Sequence, residues 1–361
     1  MAYGNIPPAG PPPGWGGWMP PPPPKPGVIP LHPLGLGDIL GGAFATMGRY
    51  WKQLLGIAVA AYGAAAAVAG VALAIAYALV ADHVDRIKHL DEAQAPAWED
   101  IRPLLFAFLA VWGTTMIAML LATAMVYAAC PATLQDAVLG KPTTFGVVWR
   151  RAAAGVSAVI GTVFLTSLIL LIPLALFLTA FVTLVIALIA IDTGPLIVPL
   201  LAFLGALATA PVAVWLWVKF SLAPAAAVFE RQGALAAMRR SAHLVRGDWW
   251  RIFGITLLAA AIAGVASYII QLPVNLLGMF PGTVGTSDFG PDPTASQVLV
   301  SLGGVLIVLM VTQLIGQIFV AVFPQLVTSL LYVDQRIRRE NLAAALAEAA
   351  APTPPSYQPP S

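Results

Sequence analysis

The sequence predicts an all-α polytopic membrane protein with six transmembrane helices, and three observations support this fold class. Of the 361 residues, 59% are hydrophobic and only 9% are charged, whereas soluble domains carry about 25% charged residues. Six uncharged apolar runs are each long enough to cross a bilayer, which takes about 20 helical residues. The lysines and arginines gather at alternate ends of those runs, as the positive-inside rule requires.

Both ends of the chain are rich in proline and are predicted to lie outside the membrane. Residues 1–33 include the runs Pro11–Pro13 and Pro20–Pro24. Because proline lacks the backbone donor that helices and sheets use, this segment is predicted to be a disordered cytoplasmic tail. The alternative is a docking peptide for a soluble partner with a proline-binding groove. Residues 343–361 are predicted to be a short helix end followed by a second tail, which leaves residues 34–342 for the membrane domain.

The six predicted spans follow one another between these tails. They are Leu54–Ala81, Pro103–Gln135, Ala152–Ile191, Thr193–Val218, Ile252–Ser287 and Pro293–Val333. The third run is long enough for two passes, with Pro173 as either a turn or a kink in one helix. If it crosses once, all 18 lysines and arginines except Arg86, Lys88 and Arg102 lie on one side. We therefore predict six passes with both termini in the cytoplasm.

The composition also indicates a bacterial plasma membrane. Arginine outnumbers lysine by 13 to 5, and alanine, glycine, proline and valine are abundant. This usage is typical of proteins from GC-rich bacterial genomes, which favours an actinobacterial source.

Two markers recur about every 100 residues and predict an internal threefold repeat. The first is a tryptophan followed by a basic residue at the start of each odd-numbered span, and the second is a proline where each even-numbered span ends. The markers are Trp51-Lys52, Trp149-Arg150 and Trp250-Arg251, with Pro131, Pro224 and Pro324. Each unit is predicted to be an interfacial amphipathic helix and two spans, with units at about 34–140, 141–233 and 234–342.

The helix before the fifth span carries the clearest candidate site, for the headgroups of acidic lipids. Apolar residues at helical spacing predict a face that lies in the acyl boundary of the membrane. They are Leu235, Met238, Ala242, Val245 and Trp249. Basic side chains off this face can reach lipid phosphates; the candidates are Arg239, Arg240, His243, Arg246 and Arg251. The alternative is that these residues only set topology and anchor the protein to headgroups in general.

Two pairs of amides are the polar candidates inside the membrane. Gln271 with Asn275 and Gln313 with Gln317 each stand four residues apart on one helix face. They are predicted to form interhelical hydrogen bonds, with the lining of a substrate path as the alternative. The predicted spans contain no charged residue or histidine. This argues against ion-coupled transporters, proton relays and intramembrane hydrolases, which place ionisable groups at that depth.

Cofactor, metal and nucleic-acid chemistry are not expected. The single cysteine, Cys130, cannot form an internal disulfide, and four scattered histidines do not suit a zinc framework. A net charge of +2 gives no basic field for nucleic acid. Phosphate-loop, nucleophile-elbow and zinc-protease motifs do not occur, so the sequence predicts no catalytic residues.

Three stretches carry a family resemblance. They are Pro33–Phe44, the stretch from Leu222-Ala223-Pro224 to Arg251, and Leu331–Asp334 continuing to Arg336 and Arg338. They resemble the membrane domain of glycerophosphoryl diester phosphodiesterases, over about residues 31–342. That family sometimes fuses this domain to a catalytic barrel of roughly 250 residues, for which neither tail has room.

Phosphodiesterase activity is therefore not expected. We expect a non-enzymatic scaffold or accessory membrane domain that associates with membrane lipids, in particular anionic ones. The alternative is a transporter or permease for a lipid or another amphiphile.

Overall fold

A computed structural model describes residues 27–30, 32–88, 97–189, 197–279 and 295–342. Within those ranges the chain is helical, with no strand. The helices are α1 (Leu36–Arg49), α2 (Trp51–Lys88), α3 (Trp98–Val138), α4 (Phe145–Ile189), α5 (Ile197–Phe220), α6 (Ala223–Phe229), α7 (Ala234–Val245), α8 (Trp249–Met279) and α9 (Ala295–Glu340).

Six stretches of helix are long and apolar enough to cross a membrane, which confirms the predicted fold class. They are Trp51–Ile87, Trp98–Val138, Phe145–Leu188, Ile197–Phe229, Trp249–Pro273 and Val311–Glu340, with mean hydropathy between 1.9 and 2.8. Helix α4 continues through Pro173 over 45 residues, so the third apolar run is one span. The three pairs α2 with α3, α4 with α5, and α8 with α9 pack as hairpins.

The order of the short helices differs in part from the predicted pattern. A separate helix precedes the first span (α1) and the fifth (α7), but the segment before the third span is already the first turn of α4, which begins at Phe145. The seven-residue helix α6 was not predicted. Pro224 is compatible with it because a proline in the first turn of a helix lacks an N–H that would have no helical partner there.

The N-terminal boundary also differs from the prediction. Val28 and Ile29, within the predicted tail, are buried, and the Val28 N–H donates to the carbonyl of Ala137 at 3.1 Å. Val28 therefore lies against the end of α3, and Ile29 lies against Gly42 of α1, where a Cβ would come within 2.8 Å of it, although prolines flank this segment in sequence. The other predicted tail segments, residues 1–26 and 343–361, lie outside the described residues.

The buried core lies at one end of the helical hairpins. Every residue is buried in the segments 128–134, 222–228 and 325–335, which contain or directly follow Pro131, Pro224 and Pro324. Large apolar side chains in the opposite halves of the spans are exposed, for example Phe106, Leu109 and Leu188. This distribution fits spans whose halves away from the core face lipid. In lipid, an apolar side chain gains nothing by being buried in protein instead.

Helix α7 rests on protein more than the sequence predicted. Its buried residues include Ala237, Ser241 and Leu244, and it contacts α4, α5, α6 and α9. Leu235, in the predicted lipid-facing row, is 64% exposed, while Met238 from the same row is buried. The small residues Ala237 and Ser241 allow this close approach, so the apolar face is turned toward the bundle.

Candidate headgroup sites and a membrane cavity

Arg251, predicted to bind a lipid headgroup, is paired within the protein. One of its terminal nitrogens (Nη1) lies 2.6 Å from a carboxylate oxygen of Asp334, whose side chain is 0% exposed. The Leu34 N–H donates to the same carboxylate at 2.7 Å. The Leu34 carbonyl accepts from Arg251 at 2.7 Å and from Arg338 at 2.9 Å. This cluster of four residues, termed the Leu34 clamp, ties the start of α1 to α8 and α9.

Arg240, a second headgroup candidate, bridges two carboxylates. Its Nε lies 2.8 Å from Glu230, and its Nη2 contacts Glu340. The Tyr332 hydroxyl also donates to Glu230, and Arg336 lies 2.9 Å from Glu340. Partial burial alone would lower the pKa of Arg240, but the hydrogen bonds and charges of the two glutamates raise it above its ordinary value. The positive charge of Arg240 is thus neutralised inside the protein.

His243 and Arg246, two further candidates, line a groove of about 510 Å³ between α5 and α7. Lys219 and Trp215 of α5 and Trp249 of α8 complete it, and this set is termed the α5–α7 groove. The Lys219 ammonium lies 4.6 Å from the centroid of the Trp215 ring, a cation–π contact. The Trp249 indole N–H donates to the Trp215 carbonyl at 3.3 Å. Among the described residues no carboxylate pairs with the three basic side chains of the groove.

The loop that carries Arg246 is held by the C-terminal end of α9. Arg339 donates to the carbonyl of His243, in the last turn of α7, and to the carbonyl of Arg246, the residue that caps the helix, and lies 3.3 Å from Asp248. Helix ends leave such carbonyls without helical partners, and a cation there also opposes the negative end of the helix dipole. Gly247 follows with a φ of +95°, a conformation that suits glycine.

Arg239, the remaining candidate, lies exposed on α7. It forms no ion pair with the described residues and lines neither the α5–α7 groove nor the pocket described next. Of the five predicted headgroup residues, the structure therefore brings two together in one groove, leaves one exposed, and pairs two with buried or half-buried carboxylates.

A larger basic pocket lies at the other end of α7. It measures about 790 Å³, and its basic lining residues are Arg150 and Arg151 of α4 and Arg231 of the turn after α6. This α4–α6 pocket was not predicted, because the positions of the three arginines along the sequence indicate only topology. The adjacent pair Arg150-Arg151 was a signal, but its convergence with Arg231 depends on how α6 folds back against α4.

A polar cavity of about 240 Å³ lies where α3, α4, α5, α6 and α9 meet. Its hydrogen-bonding side chains are Thr123, Tyr127, Thr166, Ser167, Trp217, Ser221, Gln325 and Thr328, and none of its lining residues is charged. Gln325 is only 5% exposed, and its Nε2 has no hydrogen-bond partner. An unpaired buried amide costs free energy, so this lining is suited to a polar guest or to water.

The four predicted intramembrane amides do not line this cavity. Gln271 packs on α9 at Gly316, where a Cβ would lie 2.9 Å from the Gln271 Nε2. Gln317 interacts with the Tyr62 hydroxyl. The other two, Asn275 and Gln313, are exposed. The contact of Gln317 in α9 with Tyr62 in α2 is of the interhelical kind predicted for these amides, and the alternative of a substrate path lined by the four amides stays a hypothesis.

The helices and their hydropathy define an integral, multi-pass, all-α membrane protein. The chain belongs to the family described as "Domain of unknown function (DUF7847)", whose model matches residues 53–334. No curated protein and no solved structure matches the chain. The matched region includes the groove, the α4–α6 pocket and the membrane cavity. The resemblance to the membrane domain of glycerophosphoryl diester phosphodiesterases stays a prediction.

Proposed function

We propose that this protein is a non-enzymatic, lipid-associated scaffold of the bacterial plasma membrane that holds anionic phospholipid headgroups at the cytoplasmic ends of its helices. The α5–α7 groove carries the proposal, because Lys219, His243 and Arg246 line one recess with two tryptophans. Tryptophan favours the boundary between acyl chains and headgroups. Basic groups at that level attract anionic lipid by about 1 kcal/mol each.

The proposed orientation, with both termini cytoplasmic, rests on where the basic residues lie. The groove, the α4–α6 pocket and the arginines at the end of α9 share the end of the molecule that holds the core. At the opposite end Arg86 is paired with Asp100 at 3.0 Å, which reduces its effect on topology. The basic end therefore faces the cytoplasm under the positive-inside rule.

Changing Lys219, His243 and Arg246 together to glutamine is expected to reduce co-purified anionic lipid by at least about tenfold, since the two formal charges lost are worth about 1 kcal/mol each and roughly 1.4 kcal/mol corresponds to that factor. The measurement is a lipid-resolved native mass spectrum of protein extracted gently from its own membrane. The matched control changes the exposed Lys141 and Arg239 to glutamine, which removes the same formal charge outside the groove. Equal lipid loss in both variants, or none in the groove variant, would contradict the proposal.

A transporter or permease for a lipid or amphiphile is the second candidate function, and the membrane cavity favours it. The cavity offers a donor from Gln325, while Thr166, Ser221 and Thr328 already donate to backbone carbonyls and so offer acceptor lone pairs. A transport site of this kind must be open to water on at least one face of the membrane.

Cysteine labelling tests this second function and the orientation together. Gln325→Cys should react with a small, charged, membrane-impermeant thiol reagent from at least one face if the cavity carries a substrate. Lys141→Cys should react only from the cytoplasmic face. The unmodified protein is the blank, because its one cysteine, Cys130, is fully buried. A Gln325→Cys variant that stays unlabelled from both faces would contradict transport through the cavity.

A further inference from the structure

The α4–α6 pocket has the size and the walls of a small-ligand site. Its volume of about 790 Å³ lies within the range of roughly 300–1,000 Å³ that such sites occupy. The first turns of α4 form one wall, and the turn that joins α6 to α7 forms the other. None of its residues belongs to the α5–α7 groove.

The charge of the pocket suits an anion with two negative charges. Arg151 is paired with Asp136 at 2.9 Å. Arg150 and Arg231 have no ion pair among the described residues, and no carboxylate lines the pocket. Two guanidinium groups are thus left uncompensated. The planar fork of donors on arginine matches phosphate oxygens better than lysine does.

The start of α7 adds backbone donors to the same pocket. Gly233, which lines the pocket, is the N-cap of α7 and provides no side-chain cap. A Cβ at Gly233 would meet nothing within 4 Å, so the space before the helix is open. The first N–H groups of a helix have no helical acceptor and favour anions. These backbone donors add to the two free arginines, on which the inference rests.

Close packing fixes the two walls relative to each other. A Cβ at Gly161 of α4 would lie 2.5 Å from the Cβ of Ala234, the first residue of α7. A Cβ at Gly155 would lie 3.3 Å from a methyl group of Val228 in α6. Both glycines therefore let α6 and α7 approach α4, which holds Arg231 opposite Arg150 in a defined geometry.

We infer that the α4–α6 pocket binds a phosphate monoester in its dianionic form. A terminal phosphate offers three oxygens and close to two negative charges at neutral pH, which matches two free arginines and a helix start. A phosphodiester headgroup carries one negative charge and is the poorer match. The phosphate can belong to a soluble phosphorylated molecule or to the headgroup of a monoester lipid such as phosphatidate.

The soluble source is tested with inorganic phosphate and purified full-length protein in detergent. Phosphate should raise the unfolding temperature, whereas chloride at the same ionic strength should not. Unfolding is followed by reaction of Cys130 with a fluorogenic maleimide. Arg150→Gln combined with Arg231→Gln should weaken the apparent affinity by about tenfold or more. The control pair Lys141→Gln with Arg239→Gln, which removes the same charge, should keep the wild-type response.

The lipid source is tested with nanodiscs of phosphatidylcholine that contain either phosphatidate or phosphatidylglycerol. Preferential retention of phosphatidate, lost in the Arg150/Arg231 variant, assigns the site to a lipid headgroup. A phosphate-induced shift without that preference assigns it to a soluble ligand. If neither response occurs, or if the control pair loses it equally, the inference is overturned. The variant of the α5–α7 groove should keep both responses, which separates this test from that of the proposed function.

Discussion

Replacing Asp334 with alanine should lower the free energy of unfolding by about 3 kcal/mol, the low end of the range for breaking a buried ion pair. The carboxylate is fully buried and accepts from the Leu34 N–H, Arg251 and Arg338. Its removal leaves the Leu34 N–H without an acceptor and leaves the two guanidinium groups without their counter-charge, although both still donate to the Leu34 carbonyl. The cost stays at the low end because Arg251 and Arg338 are 29% and 36% exposed and can be hydrated.

Cys130 provides the measurement for the Asp334 variant. It is the only cysteine and is fully buried in α3, so a fluorogenic maleimide reacts with it only after the core opens. Asp136→Ala is the control, because the Arg151–Asp136 pair is partly exposed and such pairs contribute about 0–1 kcal/mol. Equal unfolding temperatures for the two variants would show that the Leu34 clamp is not a stabilising element.

The fold class could be predicted from the sequence because the membrane imposes a simple pattern. Apolar runs of sufficient length must be helices in lipid, and the positions of lysine and arginine decided that the run containing Pro173 crosses once. The short helix α6 was not predicted, although the predicted fourth span ends before it at Val218, because seven residues are too few to show a helical period. A break at Ser221 is visible only when α6 is seen packed across α4.

The roles of the basic residues could not be predicted, because their partners are distant in sequence. Arg251 pairs with Asp334 across 83 positions, and Arg240 contacts Glu340 across 100. Periodicity places an arginine on a helix face but says nothing about which carboxylate the fold brings there. Part of the α5–α7 groove could be predicted, because His243 and Arg246 are close in sequence. They lie at the end of α7 and in the loop that follows it.

The membrane cavity escaped prediction for a related reason. Its polar residues are mostly hydroxyls, spread over α3, α4, α9 and the turn before α6, and hydroxyl side chains are common where membrane helices pack. The amide pairs drew attention because each places two amides four positions apart on one helix face. Convergence of Tyr127, Ser221 and Gln325 depends on how the segments around Pro131, Pro224 and Pro324 pack together. The threefold repeat of those prolines in sequence stays a prediction.

Arg240 and Arg239 form a matched pair that separates a structural arginine from a surface one. Arg240→Met should lower the free energy of unfolding by about 2–3 kcal/mol, because the half-buried Glu230 loses the cation that compensates it, while Glu340 keeps only Arg336. Arg239→Met should stay within about 0.5 kcal/mol, as expected for a surface substitution. The same Cys130 reaction in detergent measures both.

A second substitution tests the reason for the Arg240 effect. Glu230→Gln combined with Arg240→Met should recover part of the lost stability. In the single variant the half-buried Glu230 carboxylate is charged and has lost its partner, whereas a glutamine at this position is neutral. Tyr332 can still donate to the glutamine oxygen, so the contact between α6 and α9 is kept. If Arg240→Met instead left stability unchanged and abolished retention of anionic lipid, Arg240 would be a headgroup ligand. The conclusion that Glu230 and Glu340 neutralise the charge of Arg240 inside the protein would then be wrong.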